Sequence, residues 1–228
     1  MIHLEILDED RQHILKRLYK ILGKDFYLAG GTALALQLKH RESLDFDLFR
    51  NEEITFSLKR KIFKEFKDYS IQTLVDTSDE LSLVFNRKIN PNRSVGVKVA
   101  FIAYWWGPIF PLIKIKGVIP LLSIKDIAAT KAYALGRRGA YRDYYDLYSI
   151  IKDNYASLKS IIVWCRKKFG KIFSERMFLE QLTYFGDAKA DRKLKFLSGK
   201  YIAPKELATF FKKEIRMLRA KKFLESDK

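Results

Sequence analysis

The spacing of apolar residues changes along the chain and predicts two regions of different architecture. Apolar positions three or four residues apart predict helices over residues 8–22 and 53–68, because such side chains share one helix face. Short apolar or alternating runs predict strands, and a polar segment at 86–94 predicts a hairpin turn between two of them. The predicted strands lie at residues 26–29, 44–49, 69–75, 81–85, 95–104 and 112–119. From Ser123 onward nearly every stretch has helical spacing.

This order of elements predicts an α+β fold, in which a mixed sheet with flanking helices precedes a helical C-terminal region. The change in composition near residue 120 places a boundary there, with one domain over residues 1–120 and another over 121–228. The chain has 228 residues, of which 48% are hydrophobic, and this is enough for two domains with cores of their own.

Cysteine content and hydropathy indicate a cellular compartment. Cys165 is the one cysteine, so an internal disulfide framework is excluded and a reducing cytoplasm is expected. The longest uncharged run, residues 99–113, contains prolines and is shorter than the ~20 residues that a membrane helix needs. We therefore expect a soluble cytoplasmic protein that makes no membrane contact.

The net charge of +17 is unevenly distributed along the sequence. Residues 151–228 contain 20 lysines and arginines but 9 aspartates and glutamates. A basic region of this kind is typical of proteins that bind a polyanion such as RNA. The basic stretches 166–168 and 219–222 are candidate phosphate contacts, or else ordinary solvated helix faces.

A glycine pair joins the first predicted strand to a short helix predicted over residues 32–38. Gly30, Gly31 and Thr32 stand at this junction. Free backbone N–H groups at a helix N-terminus favour anions, and glycine lets a phosphate or a second strand approach closely. The junction is therefore a candidate phosphate cradle, although a plain strand-to-helix turn has the same sequence pattern.

Two carboxylates follow at a fixed distance from this junction. Asp45 and Asp47 are two apart in a predicted strand, so their side chains share one face. Adjacent carboxylates repel unless a cation lies between them, and paired oxygen ligands suit Mg²⁺ or Mn²⁺ together with substrate phosphates. A solvated strand end is the alternative. Arg41 precedes the pair and can bind a phosphate or neutralise one of these carboxylates. Ser43 is a further candidate for phosphate binding.

A second group of polar residues lies in the helical region. Lys131 is spaced by four from both Ile127 and Leu135, which places it on the apolar stripe of its helix. A lysine there either faces a polar cleft or extends its ammonium group to the stripe edge. On the next helix Arg142 and Asp146 are four apart and can pair, and the intervening Asp143 can cap that helix.

These two groups resemble a known family. Gly-Gly-Thr, a short helix and His-Arg-x-Ser-x-Asp-x-Asp resemble the DNA-polymerase-β-like nucleotidyltransferase superfamily. Residues 131–147 (KAYALGRRGAYRDYYDL) resemble the second signature of its AbiEii/AbiGii-type toxin family. The resemblance implies a toxin that transfers a nucleoside monophosphate from a nucleoside triphosphate to an acceptor hydroxyl, with tRNA as the expected acceptor. It also implies a cognate antitoxin as partner.

The resemblance implies a role for individual residues, and the helical domain is then expected to complete the active-site cleft. The implied metal ligands are Asp45 and Asp47, for Mg²⁺ or Mn²⁺. The catalytic set adds Lys131 and Asp146 to these two. The implied nucleotide-binding residues are Gly30, Gly31, Thr32, Arg41, Ser43, Lys131, Arg138 and Arg142, and Asp143 belongs to the same rim.

One position departs from the superfamily pattern. A third carboxylate is normally carried by a neighbouring strand, but Ala100 stands at the matching position here, and no acid lies between Glu80 and Asp126. Either two metal ligands suffice and a base comes from elsewhere, for which Asp146 is a candidate, or this copy is weakened. The alternative function is therefore a degenerate module that binds nucleotide or RNA without turnover.

Overall fold

A computed structural model describes residues 2–90, 93–184, 194–198 and 201–226 of the chain. The chain divides into two compact units, the first ending at Ser123 and the second beginning at Ile124. Among the described residues, no helix combines the length and the apolar character that crossing a bilayer requires.

Three helices accompany the sheet of the first unit. They are α1 (Glu9–Leu22), α2 (Gly30–Leu38) and α3 (Phe56–Glu65). The side chain of Asp8 caps α1 by accepting a hydrogen bond from the backbone N–H of Arg11 at 2.9 Å. Thr55 caps α3 in the same way. The predicted helices over 8–22 and 53–68 are thus confirmed, with ends set by these caps.

The described residues of the first unit form one mixed sheet, as predicted, and it has seven strands where the sequence predicts six. They are β1 (Tyr27–Ala29), β2 (Phe46–Arg50), β3 (Ser70–Asp76), β4 (Glu80–Asn90), β5 (Arg93–Ala103), β6 (Ile113–Ile115) and β7 (Val118–Leu121). Their order is β3-β4-β5-β2-β1-β7-β6. Strand β1 pairs with β7, and β2 with β5, in parallel, whereas the other neighbours are antiparallel.

Two segments of the sheet differ from the prediction. The single strand expected over 112–119 is a hairpin of β6 and β7 that turns at Gly117, whose φ is 78°. Because β7 pairs with β1, the predicted boundary at residue 120 falls inside the sheet, and the first unit extends to Ser123. The predicted turn over 86–94 is mostly strand, since β4 and β5 pair as far as Asn90 and Arg93; residues 91–92 lie outside the described residues.

The two faces of the central strands have different polarity. On one face the side chains are fully buried and apolar, which makes it the core of the first unit. These side chains are Phe46, Leu48, Leu81, Leu83, Phe85, Val99 and Phe101. The opposite face carries Asp47 on β2. The alternation of β2 therefore places one of the predicted metal ligands on the face that is not part of this core.

The second unit is helical in its described residues, as predicted. Its helices are α4 (Ile124–Leu135), α5 (Tyr141–Lys152), α6 (Leu158–Phe169), α7 (Glu175–Gln181) and α8 (Pro204–Ser226). Helix α4 packs against α5, α6 and α7, and α8 packs against α5 and α6. A buried ion pair joins α4 to α6, with 2.9 Å between Lys168 Nζ and Asp126 Oδ1. Lys168 is therefore part of the core, unlike the solvated helix face that was one of the two alternatives for the stretch 166–168.

Candidate active site

The two glycines of the first signature let helix α2 lie directly against β2 and the segment before it. Gly30 has a φ of 66°, and a Cβ atom there would overlap Oδ2 of Asp47. A Cβ atom at Gly31 would lie 2.6 Å from Nη2 of Arg41 and 2.9 Å from Oγ of Ser43. Both glycines belong to the first turn of α2. The helix begins at Gly30, two residues before the predicted start at Thr32. At Gly30 both the backbone conformation and the nearby carboxylate favour glycine, whereas at Gly31 only the close side-chain ends do so.

We predict that replacing Gly30 by alanine lowers the free energy of unfolding by about 2 kcal/mol. The new Cβ would meet the Asp47 carboxylate, and a left-handed backbone costs a non-glycine residue roughly 1–2 kcal/mol. Gly107→Ala is the matched control, because nothing lies within 4 Å of the Cβ position there. Urea unfolding of both variants measures the difference. Equal stabilities would contradict the close packing of α2 on Asp47.

Thr32 fixes the segment that leads to the carboxylates. Its side chain is 1% exposed, and its hydroxyl donates a hydrogen bond to the carbonyl oxygen of Asp45. The hydroxyl oxygen of Thr32 also lies 3.0 Å from Oγ of Ser43. The hydroxyl hydrogen of Thr32 is therefore engaged inside the protein, where it positions the backbone of residues 43–45.

The two carboxylates occupy different local structures. Strand β2 begins at Phe46, so Asp47 lies in the strand and is partly exposed, whereas Asp45 precedes it and is exposed. The predicted strand over 44–49 starts too early, because the carbonyl of Leu44 accepts a hydrogen bond from Nε of Arg11 at 3.0 Å instead of joining the sheet. The Thr32 contact, and not strand alternation, thus sets the backbone at Asp45.

Arg41 is buried beside the first turn of α2. Its side chain is almost covered, at 3% exposure, and Nη1 donates to the carbonyl of Glu42 at 3.0 Å. A guanidinium group at this place adds positive charge beside the helix N-terminus, which itself favours anions. Phosphate binding by Arg41 and by Ser43 stays a prediction.

Metal binding by Asp45 and Asp47 stays a prediction. Within the described ranges, no group of three or more histidine, cysteine, aspartate or glutamate side chains is arranged to hold a metal ion. Mg²⁺ commonly binds through one or two carboxylates together with substrate phosphates and water, and does not require a cage made wholly of protein ligands.

The strand register shows what lies beside Asp47 where the third carboxylate is expected. Asp47 is opposite Ala100, and Ala100 is opposite Ser82. Glu80 lies on this same face of β4, since residues two apart share a face, and its Oε1 accepts a hydrogen bond from Ser82 Oγ at 2.5 Å. Sequence reasoning missed Glu80, because a shift of one residue in register would turn it to the other face.

The second signature forms a buried ion cluster on α4 and α5. Nζ of Lys131 lies 2.6 Å from Oδ1 of Asp143 and 2.7 Å from Oδ2 of Asp146. The lysine side chain is 8% exposed, and neither aspartate side chain is exposed at all. Nε of Arg138 lies 3.0 Å from Oδ2 of Asp143, although the arginine itself remains largely exposed. Two cations thus compensate two buried carboxylates.

This cluster decides between the alternatives left open by the sequence. Lys131 does not extend to the edge of its stripe; its ammonium group is held by two carboxylates on the next helix. Arg142 is exposed and does not pair with Asp146 among the described residues. Asp143 binds cations instead of capping α5, whose N-cap residue, Ala140, has no side-chain hydrogen bond. The roles of these residues toward a nucleotide stay predictions.

Comparison with known proteins identifies the family. The family model described as "Nucleotidyl transferase AbiEii toxin, Type IV TA system" matches residues 13–220. The chain belongs to the AbiEii nucleotidyltransferase toxin family. This confirms the resemblance seen in the two signatures, and the match also spans most of the helical unit.

Individual relatives agree with this assignment. An uncharacterized protein of Aquifex aeolicus is 31% identical over 195 residues, which cover 81% of this chain and 86% of that protein. Two solved structures share the fold at low identity. JHP933 of Helicobacter pylori has a TM-score of 0.58 and 17% identity, covering 97% of this chain and 98% of the other. MenT4, a nucleotidyltransferase toxin of Mycobacterium tuberculosis, has a TM-score of 0.60 and 13% identity, covering 90% and 80%.

Proposed function

We propose that this AbiEii-family protein transfers a nucleoside monophosphate from a nucleoside triphosphate to an acceptor hydroxyl of RNA, with tRNA as the expected acceptor. The observation that carries this proposal is the packing of the Asp47 carboxylate against the first turn of α2 at Gly30. An anion-binding helix end and a metal-binding carboxylate are thereby adjacent, which is the combination that phosphoryl transfer requires.

The first signature supplies phosphate-binding and metal-binding groups for this reaction. The backbone N–H groups at the start of α2, with Ser43 and Arg41 beside them, bind the phosphates. Asp45 and Asp47 would hold Mg²⁺ or Mn²⁺, which would supply neutralisation of negative charge on the phosphates. The acceptor oxygen forms a bond to the α-phosphorus, and the bond to the bridging oxygen breaks, so that pyrophosphate leaves with the electron pair.

The proton of the acceptor hydroxyl needs a base. Glu80 is the candidate in the first unit, because it lies on the face of Asp47 and is held by Ser82. Asp146 is the candidate base from the sequence, and its carboxylate is paired with Lys131. We propose further that the protein acts in the cytoplasm and is restrained there by a cognate antitoxin, as its type IV toxin–antitoxin family suggests.

The direct test is a transfer assay with purified protein. Each of the four nucleoside triphosphates, labelled at the α-phosphate, is incubated with total tRNA and Mg²⁺. We expect label in RNA with at least one nucleotide, its loss with a chelator, and its return with added Mn²⁺. Label that persists in chelator, or that is absent from RNA under every condition, would contradict the proposed activity.

A binding module without turnover is the second candidate. It is favoured by Ala100, which is 4% exposed and leaves β5 without a carboxylate opposite Asp47. Such a module would bind nucleotide but form no product during long incubation. Appearance of labelled RNA in the wild-type protein excludes this candidate.

A further inference from the structure

A groove lies between α7 and α8 in the second unit and belongs to neither signature. Its volume is about 730 Å³. Leu179, Thr183 and Ile215 contribute its less polar lining. The charged residues that line it are Glu175, Arg176 and Glu180 from α7, and Lys212, Arg216 and Arg219 from α8. The basic C-terminal region noted in the sequence thus contributes to a concave surface.

The acidic residues of the groove already have cationic partners. Glu175 pairs with Arg166, and Oε1 of Glu180 lies 2.8 Å from Nε of Arg176. These pairs reduce the negative charge that α7 presents to the groove. The acids therefore do not cancel the charge of the facing helix.

The basic residues of α8 form a row without such partners. Lys212, Arg216 and Arg219 follow one another by four and three residues, so they lie along one helix face. All three are exposed, and none makes a hydrogen bond or ion pair with any residue that the structure describes. The row is about 10 Å long at 1.5 Å per residue.

An exposed tyrosine stands beside the groove. A smaller hollow, lined by Met177, Gln181 and Tyr184, shares Glu180 and Thr183 with the groove. The Tyr184 side chain is 55% exposed. Its backbone is nonetheless fixed, because the buried hydroxyl of Tyr144 lies 2.8 Å from the Tyr184 carbonyl oxygen. An exposed aromatic ring on a fixed backbone can stack on an unpaired base.

We propose that this groove binds a single-stranded segment of RNA, with phosphates along Lys212, Arg216 and Arg219 and a base stacked on Tyr184. A row of cations next to an exposed aromatic ring matches the chemistry of nucleic acid more closely than that of a protein partner, whose interface core is apolar and poor in charge. The proposal rests on the proposed function in naming RNA as the polyanion, but RNA binding itself needs no nucleotide.

The test measures binding of full-length protein to a labelled 12-nucleotide single-stranded RNA and to a duplex of equal length, without nucleoside triphosphate. The variant Lys212→Gln/Arg216→Gln/Arg219→Gln is compared with Lys171→Gln/Lys205→Gln/Lys213→Gln, which removes equal charge outside the groove lining. We expect at least about tenfold weaker single-strand binding for the groove variant, and a slope of log K against log salt reduced by about 2. Equal weakening in both variants would overturn the proposal, since net charge alone would explain it.

A second variant tests the aromatic contact independently of charge. Tyr184→Leu is expected to weaken binding of the single strand about fivefold or more but not that of the duplex, and Tyr184→Phe is expected to restore it. Single-strand affinity that is unchanged in Tyr184→Leu would overturn the proposed stacking. Asp47→Asn is expected to keep the wild-type RNA affinity, so failure of transfer and failure of RNA binding are told apart. If the groove variant keeps its RNA affinity but no longer binds the antitoxin, the groove is a protein site and the proposal is wrong.

Discussion

Replacing Asp47 by asparagine is expected to reduce nucleotidyl transfer by at least about 10³-fold, which is about 4 kcal/mol of transition-state stabilisation. The substitution keeps the shape of the side chain but removes the charge that a metal–nucleotide complex requires. Asp47 also lies against the first turn of α2, where a negative charge stabilises a helix by about 0.3–1 kcal/mol. The free energy of unfolding should therefore fall by no more than about 1 kcal/mol.

The control for this variant is Asp79→Asn. Asp79 is exposed in the turn between β3 and β4, and the contacts found for it involve its backbone: its carbonyl accepts the N–H of Ala103, and its N–H donates to Oγ1 of Thr77. The Asp79→Asn variant should transfer nucleotide at the wild-type rate. Initial rates at saturating Mg²⁺, measured beside urea unfolding of each protein, give both quantities. Residual activity of Asp47→Asn within tenfold of wild type would show that this carboxylate does not hold the metal.

Replacing Lys131 by alanine is expected to lower the free energy of unfolding by about 3–5 kcal/mol. Its ammonium group lies within 2.7 Å of two fully buried carboxylates, those of Asp143 and Asp146. Without it, the buried carboxylates of Asp143 and Asp146 lose the ammonium group that contacts both of them, whereas Arg138 still contacts Asp143. The loss is large because burying an uncompensated charge costs more than the ion pair itself contributes.

Arg142→Ala is the matched control for Lys131→Ala, since it also removes a cation from the second signature, but an exposed one. Its unfolding free energy should stay within about 0.5 kcal/mol of wild type. Thermal and urea unfolding of the two variants measure the difference. Equal stability of Lys131→Ala and wild type would contradict the buried cluster. A loss of transfer in Lys131→Ala is evidence for a nucleotide contact only where the variant is shown to be folded at the assay temperature.

The features that depend on neighbours in sequence were predictable. The helices around residues 8–22 and 53–68 follow from apolar spacing and side-chain caps. The junction at Gly30 and Gly31 was recognised because glycine has few reasons to stand in pairs between a strand and a helix. The structure brings it together with Arg41, Ser43 and Asp47 because all five are separated by short segments.

The features that depend on distant neighbours were not predictable. The family resemblance pointed to Ala100 on a strand beside the carboxylates, in agreement with the register of β2 with β5, but spacing along the sequence does not give that register. The position of Glu80 depends also on the register of β4 with β5. Predicting the partners of Lys131 would require the packing geometry of α4 and α5. Residue spacing alone is compatible with either an exposed or a buried lysine. The hairpin at Gly117 was missed because strands of three and four residues carry too little periodicity to be separated from one longer strand.

Calorimetric titration with a nucleoside triphosphate analogue that cannot be cleaved between the α- and β-phosphates tests the central claim most directly. The claim is that Asp45 and Asp47 bind a metal–nucleotide complex at the start of α2. We expect Mg²⁺ to strengthen binding to the wild-type protein at least about tenfold, as expected for a metal that joins carboxylates to phosphates. We expect this enhancement to vanish in Asp47→Asn. Wild-type binding that is indifferent to Mg²⁺, or a full Mg²⁺ enhancement in Asp47→Asn, would contradict the account.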